Sequence, residues 1–117
     1  MAAGPDSQVL DIARRYVEAL RRANVSFESV WLFGSGATGR NTPDSDIDVG
    51  IVMREVSERF ETELRLMKMR RPIDLRIEPH VLTLEEWESP FFGKSIRETG
   101  TRVDRSPSGS DAAAPKR

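Results

Sequence analysis

The chain contains no cysteine, one histidine and one tyrosine, and its positive and negative charges nearly cancel. The lack of cysteine excludes disulfide bonds and thiolate chemistry. A formal net charge of -1 argues against a dedicated nucleic-acid binder, which usually carries a basic excess. No apolar run approaches the roughly 20 residues of a membrane span, and the N-terminus lacks the apolar core of a signal peptide. We therefore expect a cytoplasmic protein without a membrane or nucleic acid as direct partner.

Size and composition indicate one small domain. The 117 residues are 38% hydrophobic and 32% charged. A chain of this length buries roughly 65% of its unfolded surface, which suffices for a single core. The tail is rich in Ser, Pro, Gly, Ala and charge without apolar periodicity, so we predict disordered ends at 1–6 and 104–117 around a domain at 7–103.

Four helices are predicted. Two amphipathic helices are indicated by apolar residues at helical spacing: Leu10, Ala13, Val17 and Leu20 in the first, and Val56, Phe60, Leu64 and Met67 in the second. Asp6 or Ser7 caps the first helix, Asn24 ends it, and the second ends before Pro72. Thr83 with Glu86 predicts a capping box for a short helix; a last helix runs from Ser89 and Pro90 to Gly100.

Three strands are predicted at 30–33, 46–52 and 71–79. In the third, Ile73, Leu75 and Ile77 alternate with the polar residues Asp74, Arg76 and Glu78. In the second, Asp46 and Asp48 share one face because side chains two positions apart point the same way. Ile47, Val49 and Ile51 take the other face. We expect one buried face and one carboxylate face.

The paired acids favour a metal site beside a phosphate-binding turn. Two carboxylates about 7 Å apart repel one another unless a cation lies between them, and hard oxygen ligands suit Mg²⁺. The backbone N–H groups of Gly34 and Ser35, at the end of the first strand, attract phosphate. Asp74 is the expected third carboxylate, with Glu78 as its alternative. This set points to metal-assisted transfer on a nucleoside triphosphate.

Other interpretations of these segments are weaker. Residues 34–39 match G-x-G-x-x-G, but a polar segment with Pro43 follows where a crossover helix is required. A P-loop would need lysine where Arg40 stands. A calcium loop beginning at Asp44 would need glycine where Val49 stands. The two strand acids could also be exposed without a role. We interpret His80 as structural or surface.

The combination of Phe33-Gly34-Ser35, a ten-residue gap, Asp46-Ile47-Asp48 and Ile73-Asp74-Leu75 resembles the DNA polymerase β-like nucleotidyltransferases, and most of all the minimal nucleotidyltransferases. The resemblance runs from about Ala13 to Val103, and the segment from Ser89 to Gly100 looks like the last helix of that subgroup. It implies an α+β fold in which a small mixed β-sheet is flanked by helices in a single domain.

The resemblance also implies roles for the site residues. Asp46 and Asp48 would bind two Mg²⁺ or Mn²⁺ ions, and Asp74 would bind the catalytic ion and help to activate the attacking hydroxyl. Gly34 and Ser35 would hold the triphosphate of ATP. Members similar to this chain often carry a basic residue directly after the serine.

That basic position is Gly36 in this chain, and the first nearby arginine is Arg40, which we assign to nucleotide binding.

The acceptor is expected to come from outside the chain, because few residues remain for an acceptor domain. Minimal nucleotidyltransferases commonly work beside an all-helical HEPN protein, and several are antitoxins that transfer AMP to a tyrosine of that ribonuclease toxin. The resemblance therefore implies an adenylyltransferase antitoxin in a hetero-oligomer with a HEPN toxin. The alternatives are transfer to a small hydroxylated molecule such as an aminoglycoside, and a non-catalytic antitoxin that only binds its toxin.

Overall fold

The computed structural model of the chain describes residues 4–91 and 93–105. The predictions of disorder at 1–3 and 106–117 lie outside these ranges. Along the described chain the elements are α1 (Ser7–Arg22), β1 (Ser29–Phe33), α2 (Ser35–Thr38), β2 (Ile47–Met53), α3 (Arg59–Met69), β3 (Ile77–Thr83), α4 (Leu84–Glu88), α5 (Gly93–Thr99) and β4 (Thr101–Arg102). No helix in these ranges is long and apolar enough to cross a membrane.

The strands form one mixed sheet in the order β3-β2-β1-β4. Strands β2 and β3 are parallel, whereas β1 is antiparallel to both β2 and β4. One face of the sheet packs against α1 and α3 and holds the core. On the other face, α4 and α5 cover one end, where the rings of Trp87 and Trp31 lie 4.8 Å apart. The predicted α+β architecture is confirmed.

Helix α1 follows its sequence pattern closely. The side chain of Asp6 accepts a hydrogen bond from the Gln8 N–H, so this residue caps the helix instead of belonging to a disordered end. Asn24 ends the helical segment with a positive φ of 59°. The buried side chains of α1 lie on one face, as the apolar spacing predicts: Val9, Ile12, Ala13, Tyr16, Val17 and Leu20.

Helix α3 is rotated relative to the prediction. Phe60 and Leu64 were expected on the buried face, yet they are 76% and 44% exposed. Leu66 is buried in their place, and its carbonyl accepts a 2.7 Å hydrogen bond from the Tyr16 hydroxyl. The contact with α1 therefore decides which face of α3 turns inward.

The third strand lies further along the chain than predicted. It begins at Ile77 because the preceding residues form turns in which the Ile73 and Asp74 N–H groups both donate to the Arg70 carbonyl. Leu75 is 65% exposed and belongs to no strand. Pro79 is tolerated because β3 is an edge strand, where a missing N–H breaks no ladder.

The last described residues differ from the predicted elements in three respects. Helix α5 begins at Gly93 and not at Ser89 or Pro90, although it ends before Gly100 as expected. Strand β4, which was not predicted, then pairs with β1. Asp104 was assigned to the disordered tail, but its carboxylate accepts from the Val30 N–H at 3.0 Å and pairs with Arg102.

Candidate active site

Gly34 makes the tight turn between β1 and α2. Its φ of 74° and ψ of -154° lie in a region open essentially to glycine alone. A Cβ added to Gly34 would lie 2.5 Å from Oδ2 of Asp48. The turn and the second strand therefore meet at closest approach, and a side chain at residue 34 would separate them.

Asp46 and Asp48 flank Ile47, the first residue of β2. Asp48 is half-buried on the strand, and Asp46 is exposed directly before it. Ile47, which lies between the two acids, is 1% exposed, and Val49, which follows Asp48, is 0% exposed. The chain therefore turns its apolar residues to the core and leaves both acids at the open face.

Strand pairing brings two further polar residues to Asp48. In the parallel register Asp48 lies beside Glu78, and Gly50 lies beside His80. The His80 Nε2 atom lies 3.1 Å from Asp48 Oδ1, and its ring stands edge-on to Phe33. The interpretation of His80 as structural or surface missed this contact. The available signal was the spacing of two between Glu78 and His80, which puts both on one strand face.

Asp74 lies in the turn before β3 and is paired with Arg76. It precedes β3 by three residues, and its two carboxylate oxygens accept hydrogen bonds from Nε and Nη2 of Arg76 at 3.0 and 2.9 Å. These bonds hold the pKa of Asp74 below its ordinary value. The prediction that Asp74 lies on a strand is wrong, because β3 begins at Ile77. Glu78 occupies the position on β3 adjacent to Asp48.

The described residues contain no group of three or more His, Cys, Asp or Glu that would hold a metal ion unaided. Mg²⁺ in phosphate chemistry is usually bound by one or two carboxylates together with substrate phosphates. Asp46 and Asp48 meet that requirement, since both are accessible and Asp48 lies against the Gly34 turn. The donor set therefore fits an ion that arrives with a nucleotide.

Two adjoining cavities are lined by neighbours of Asp48, by Gly34 in one and by Glu78 and His80 in the other. The turn cavity, of about 420 Å³, is lined by Gly34, Ser35, Thr38, Arg40 and Thr99. The strand cavity, of about 670 Å³, is lined by Arg59, Glu63, Met67, Glu78, His80 and Glu86 among others. Phe33, Ser95 and Ile96 border both cavities. The predicted nucleotide-binding residues Gly34, Ser35 and Arg40 are thus brought together in the turn cavity.

The surroundings of Gly36 explain why no basic residue follows Ser35 in this chain. It is buried, and an added Cβ would lie 3.2 Å from Cγ1 of Val9 and 3.4 Å from Cδ1 of Leu32. A long cationic side chain at this position would enter the apolar core, where an unpaired charge is costly. Arg40 supplies the cationic group of the turn cavity instead.

Comparison with known proteins places this geometry in context. The family described as "Nucleotidyltransferase domain" matches residues 13–103. No curated protein matches the chain. A solved protein from Sulfolobus solfataricus, described as a nucleotidyltransferase, is similar at 24% identity with a TM-score of 0.58. That alignment covers 81% of this chain and 78% of the other.

Two solved complexes are similar in fold. One is a toxin-antitoxin with AMP-PNP, at 19% identity and a TM-score of 0.60, covering 88% of this chain and 82% of the other. The second is a tri-AMPylated HEPN toxin of Shewanella oneidensis in complex with an MNT antitoxin. It has 16% identity and a TM-score of 0.54, covering 90% of this chain and 79% of the other.

Proposed function

Because the chain belongs to the nucleotidyltransferase domain family, we propose that it transfers AMP from ATP to a tyrosine hydroxyl of a HEPN ribonuclease toxin in the cytoplasm. The observation that carries this proposal is the contact of the Gly34 turn with Asp48, 2.5 Å from an added Cβ to the carboxylate. This geometry supports the proposal because the backbone N–H groups of such a turn can bind phosphate and the adjacent carboxylate can bind a metal ion.

The site residues receive the following roles. Asp46 and Asp48 hold Mg²⁺ or Mn²⁺, and Gly34, Ser35 and Arg40 bind the triphosphate of ATP from the turn cavity. When bound, the metal ion neutralises the charge of the phosphates. His80 holds the Asp48 carboxylate in orientation through its 3.1 Å contact.

Two acids compete for the third carboxylate position. Asp74 has both oxygens occupied by Arg76, whereas no hydrogen bond or ion pair engages the Glu78 side chain among the described residues. Glu78 also lies in register with Asp48. These observations favour Glu78 over Asp74, and we assign the third position to Glu78.

The choice of acceptor draws on the similar complexes. One holds an antitoxin of similar fold with an AMPylated HEPN toxin, and another holds an ATP analogue. Both support a hetero-oligomer of this chain with an all-helical toxin. The intact turn and paired acids favour catalysis over an antitoxin that only masks its target.

The test is transfer of label from α-phosphate-labelled ATP to the co-purified product of the neighbouring reading frame. Wild type with Mg²⁺ is expected to form a covalent AMP adduct, and Asp48→Asn to lower the rate by about 1,000-fold, since a metal ligand supports several kcal/mol of charge stabilisation. Asp44→Asn is the matched control, because Asp44 is exposed two residues before the pair. No adduct with wild type, or full labelling by Asp48→Asn, would refute the proposal.

Transfer to a small hydroxylated molecule is the second candidate. The strand cavity of about 670 Å³ favours it, because that volume lies within the range of small-molecule sites. Labelled AMP on an aminoglycoside, with none on the neighbouring protein, would establish this reaction in place of the first.

A further inference from the structure

We propose that the strand cavity receives the acceptor hydroxyl, while the turn cavity holds the nucleotide, so that the two substrates meet at Asp48 from opposite sides. This inference rests on the proposed function and adds to it the place and the chemistry of acceptor binding.

Asp48 lies between Gly34, which lines the turn cavity, and His80, which lines the strand cavity. Its Oδ2 atom is the one that a Cβ on Gly34 would approach to 2.5 Å, and Gly34 lines the turn cavity. Its Oδ1 atom is 3.1 Å from Nε2 of His80, which lines the strand cavity. Phe33, Ser95 and Ile96 border both cavities, so the two spaces adjoin.

The two cavities differ in charge. Arg40 is the cation that lines the turn cavity, and no carboxylate lies among the residues that line it. In the strand cavity the cation Arg59 is already engaged, donating to the Val81 carbonyl at 2.8 Å and to Glu86 at 2.9 Å. Arg59 also pairs with Glu63 at 3.9 Å, so the three carboxylates Glu63, Glu78 and Glu86 outnumber this one cation and leave the cavity acidic. Arg40 therefore attracts a triphosphate to the turn cavity, whereas the acids of the strand cavity other than the metal-binding Glu78 repel it.

The walls of the strand cavity define the acceptor that fits it. Phe33, Met67, Leu82 and Ile96 provide apolar surface, and the acids lie among them. This lining suits a hydroxyl on an apolar stem, such as a tyrosine side chain, that is flanked by Lys or Arg residues. An acceptor segment with acidic neighbours would be disfavoured by like-charge repulsion.

The step is a transfer of AMP. The acceptor oxygen forms a bond to the α-phosphorus of ATP, and the bond from that phosphorus to pyrophosphate breaks with its electron pair on pyrophosphate. The hydroxyl proton passes to water. Entry of the acceptor from the strand cavity and departure of pyrophosphate into the turn cavity place the two groups on opposite sides of the phosphorus.

Filling each cavity separately tests the assignment. Met67→Trp is expected to reduce transfer to the partner at least 10-fold while the Kd of MgATP, measured by calorimetry, stays within twofold of wild type. Thr99→Trp, the matched variant in the turn cavity, is expected to raise that Kd at least 10-fold. Glu63→Lys replaces Met67→Trp if the latter does not fold, because Glu63 is partly exposed; it should lower transfer at least fivefold with the Kd within twofold.

The outcomes separate this assignment from the proposed function. A tenfold rise in the MgATP Kd with Met67→Trp would mean that the nucleotide occupies the strand cavity, and unchanged transfer would mean that the acceptor does not enter it. Either result overturns the assignment while transfer by wild type stands. Absence of any adduct with wild type removes the proposed function and this assignment together.

Discussion

The two faces of the sheet are built from alternate residues of the same strands, but their surroundings are opposite. Val30, Leu32, Val49 and Ile51 are 0% exposed beneath α1 and α3. The neighbouring positions on the other face include Asp48, Glu78 and His80, which remain accessible. A shift of one residue along β2 therefore separates a core position from a candidate metal ligand.

This difference assigns separate tasks to the faces. Each buried Val, Leu or Ile side chain contributes roughly 1.5–3 kcal/mol through the removal of apolar surface from water. The open face gives up that contribution and keeps its polar groups free to meet a ligand. Substitutions on the covered face should therefore change the free energy of unfolding, and those on the open face should change catalysis.

Gly34→Ala is expected to lower both catalysis and stability, and to have the largest effect on AMP transfer of the variants considered. The new methyl group would displace Asp48 and strain a backbone with φ of 74°. AMP transfer should fall at least about 100-fold, because misplaced reacting groups lose that much, and the free energy of unfolding should fall by about 1–3 kcal/mol. Labelling and urea denaturation measure the two effects.

Gly39→Ala is the control, because Gly39 has a similar φ of 77° at the other end of α2. It should lose about 1–2 kcal/mol of stability and keep near wild-type transfer. Equal transfer by the two variants would show that contact with Asp48 is irrelevant.

Glu78→Gln and Asp74→Asn test which of the two acids on or before β3 takes part in metal binding. With ATP present, Glu78→Gln should weaken Mn²⁺ binding about 10-fold, within the range found for supporting residues of metal sites, and Asp74→Asn should change it less than about twofold. Electron paramagnetic resonance of free Mn²⁺ gives the affinity without any need for turnover. The opposite pattern would return the third carboxylate position to Asp74.

Tyr16→Phe tests whether a substitution on the covered face lowers stability without changing activity. Its hydroxyl is buried and donates to the Leu66 carbonyl at 2.7 Å, so the variant should lose about 1–3 kcal/mol by leaving that carbonyl unpaired. Transfer should not change. Ser26→Ala, at an exposed position, should stay within about 0.5 kcal/mol. A Tyr16→Phe protein as stable as wild type would contradict this account.

The same residue predicts a response to alkaline pH. Burial raises the pKa of Tyr16 above its ordinary value of 10.0. The folded state therefore holds the phenolic proton more tightly than the unfolded state, and stability present below pH 10 should be lost as the pH rises above it. Urea denaturation of wild type and Tyr16→Phe between pH 8 and about 11 measures the difference.

The Asp74–Arg76 pair should give the smallest effect. The Arg76 hydrogen bonds are the chief cause that lowers the pKa of Asp74 from 3.8. The contribution of the pair to the free energy of unfolding is therefore present above pH 3.8 and is lost as the pH falls through the lower pKa of the folded state. Asp74→Asn should therefore be about 0.5–1 kcal/mol less stable than wild type at pH 7, with the gap closing toward pH 2. A gap that does not change with pH would exclude the ion pair as its cause.

Local patterns predicted much of the fold correctly. Capping by Asp6 and the helical spacing of α1 depend on residues in or next to one helix, and the Thr83–Glu86 capping box spans four residues. The alternation around Asp48 is equally local. The turn at Gly34 was recognisable because few residues other than glycine adopt such a backbone conformation.

Errors arose where distant segments compete. The apolar residues of α3 permit two rotations, and packing of Leu66 against Tyr16 selected the one that exposes Phe60. The alternation from Ile73 to Ile77 predicted a strand, but pairing with β2 starts β3 only at Ile77. The Asp-x-Arg spacing of Asp74 and Arg76 was a local signal for the ion pair that the prediction left unused.

The sequence by itself determined the turn at Gly34, the shared face of Asp46 and Asp48 and the helical pattern of α1, because these follow from backbone preferences and periodicity over a few residues. Only the tertiary structure decided that Glu78 and His80 stand beside Asp48. That neighbourhood depends on the parallel register of two strands about 30 residues apart, which the residues of neither strand specify alone.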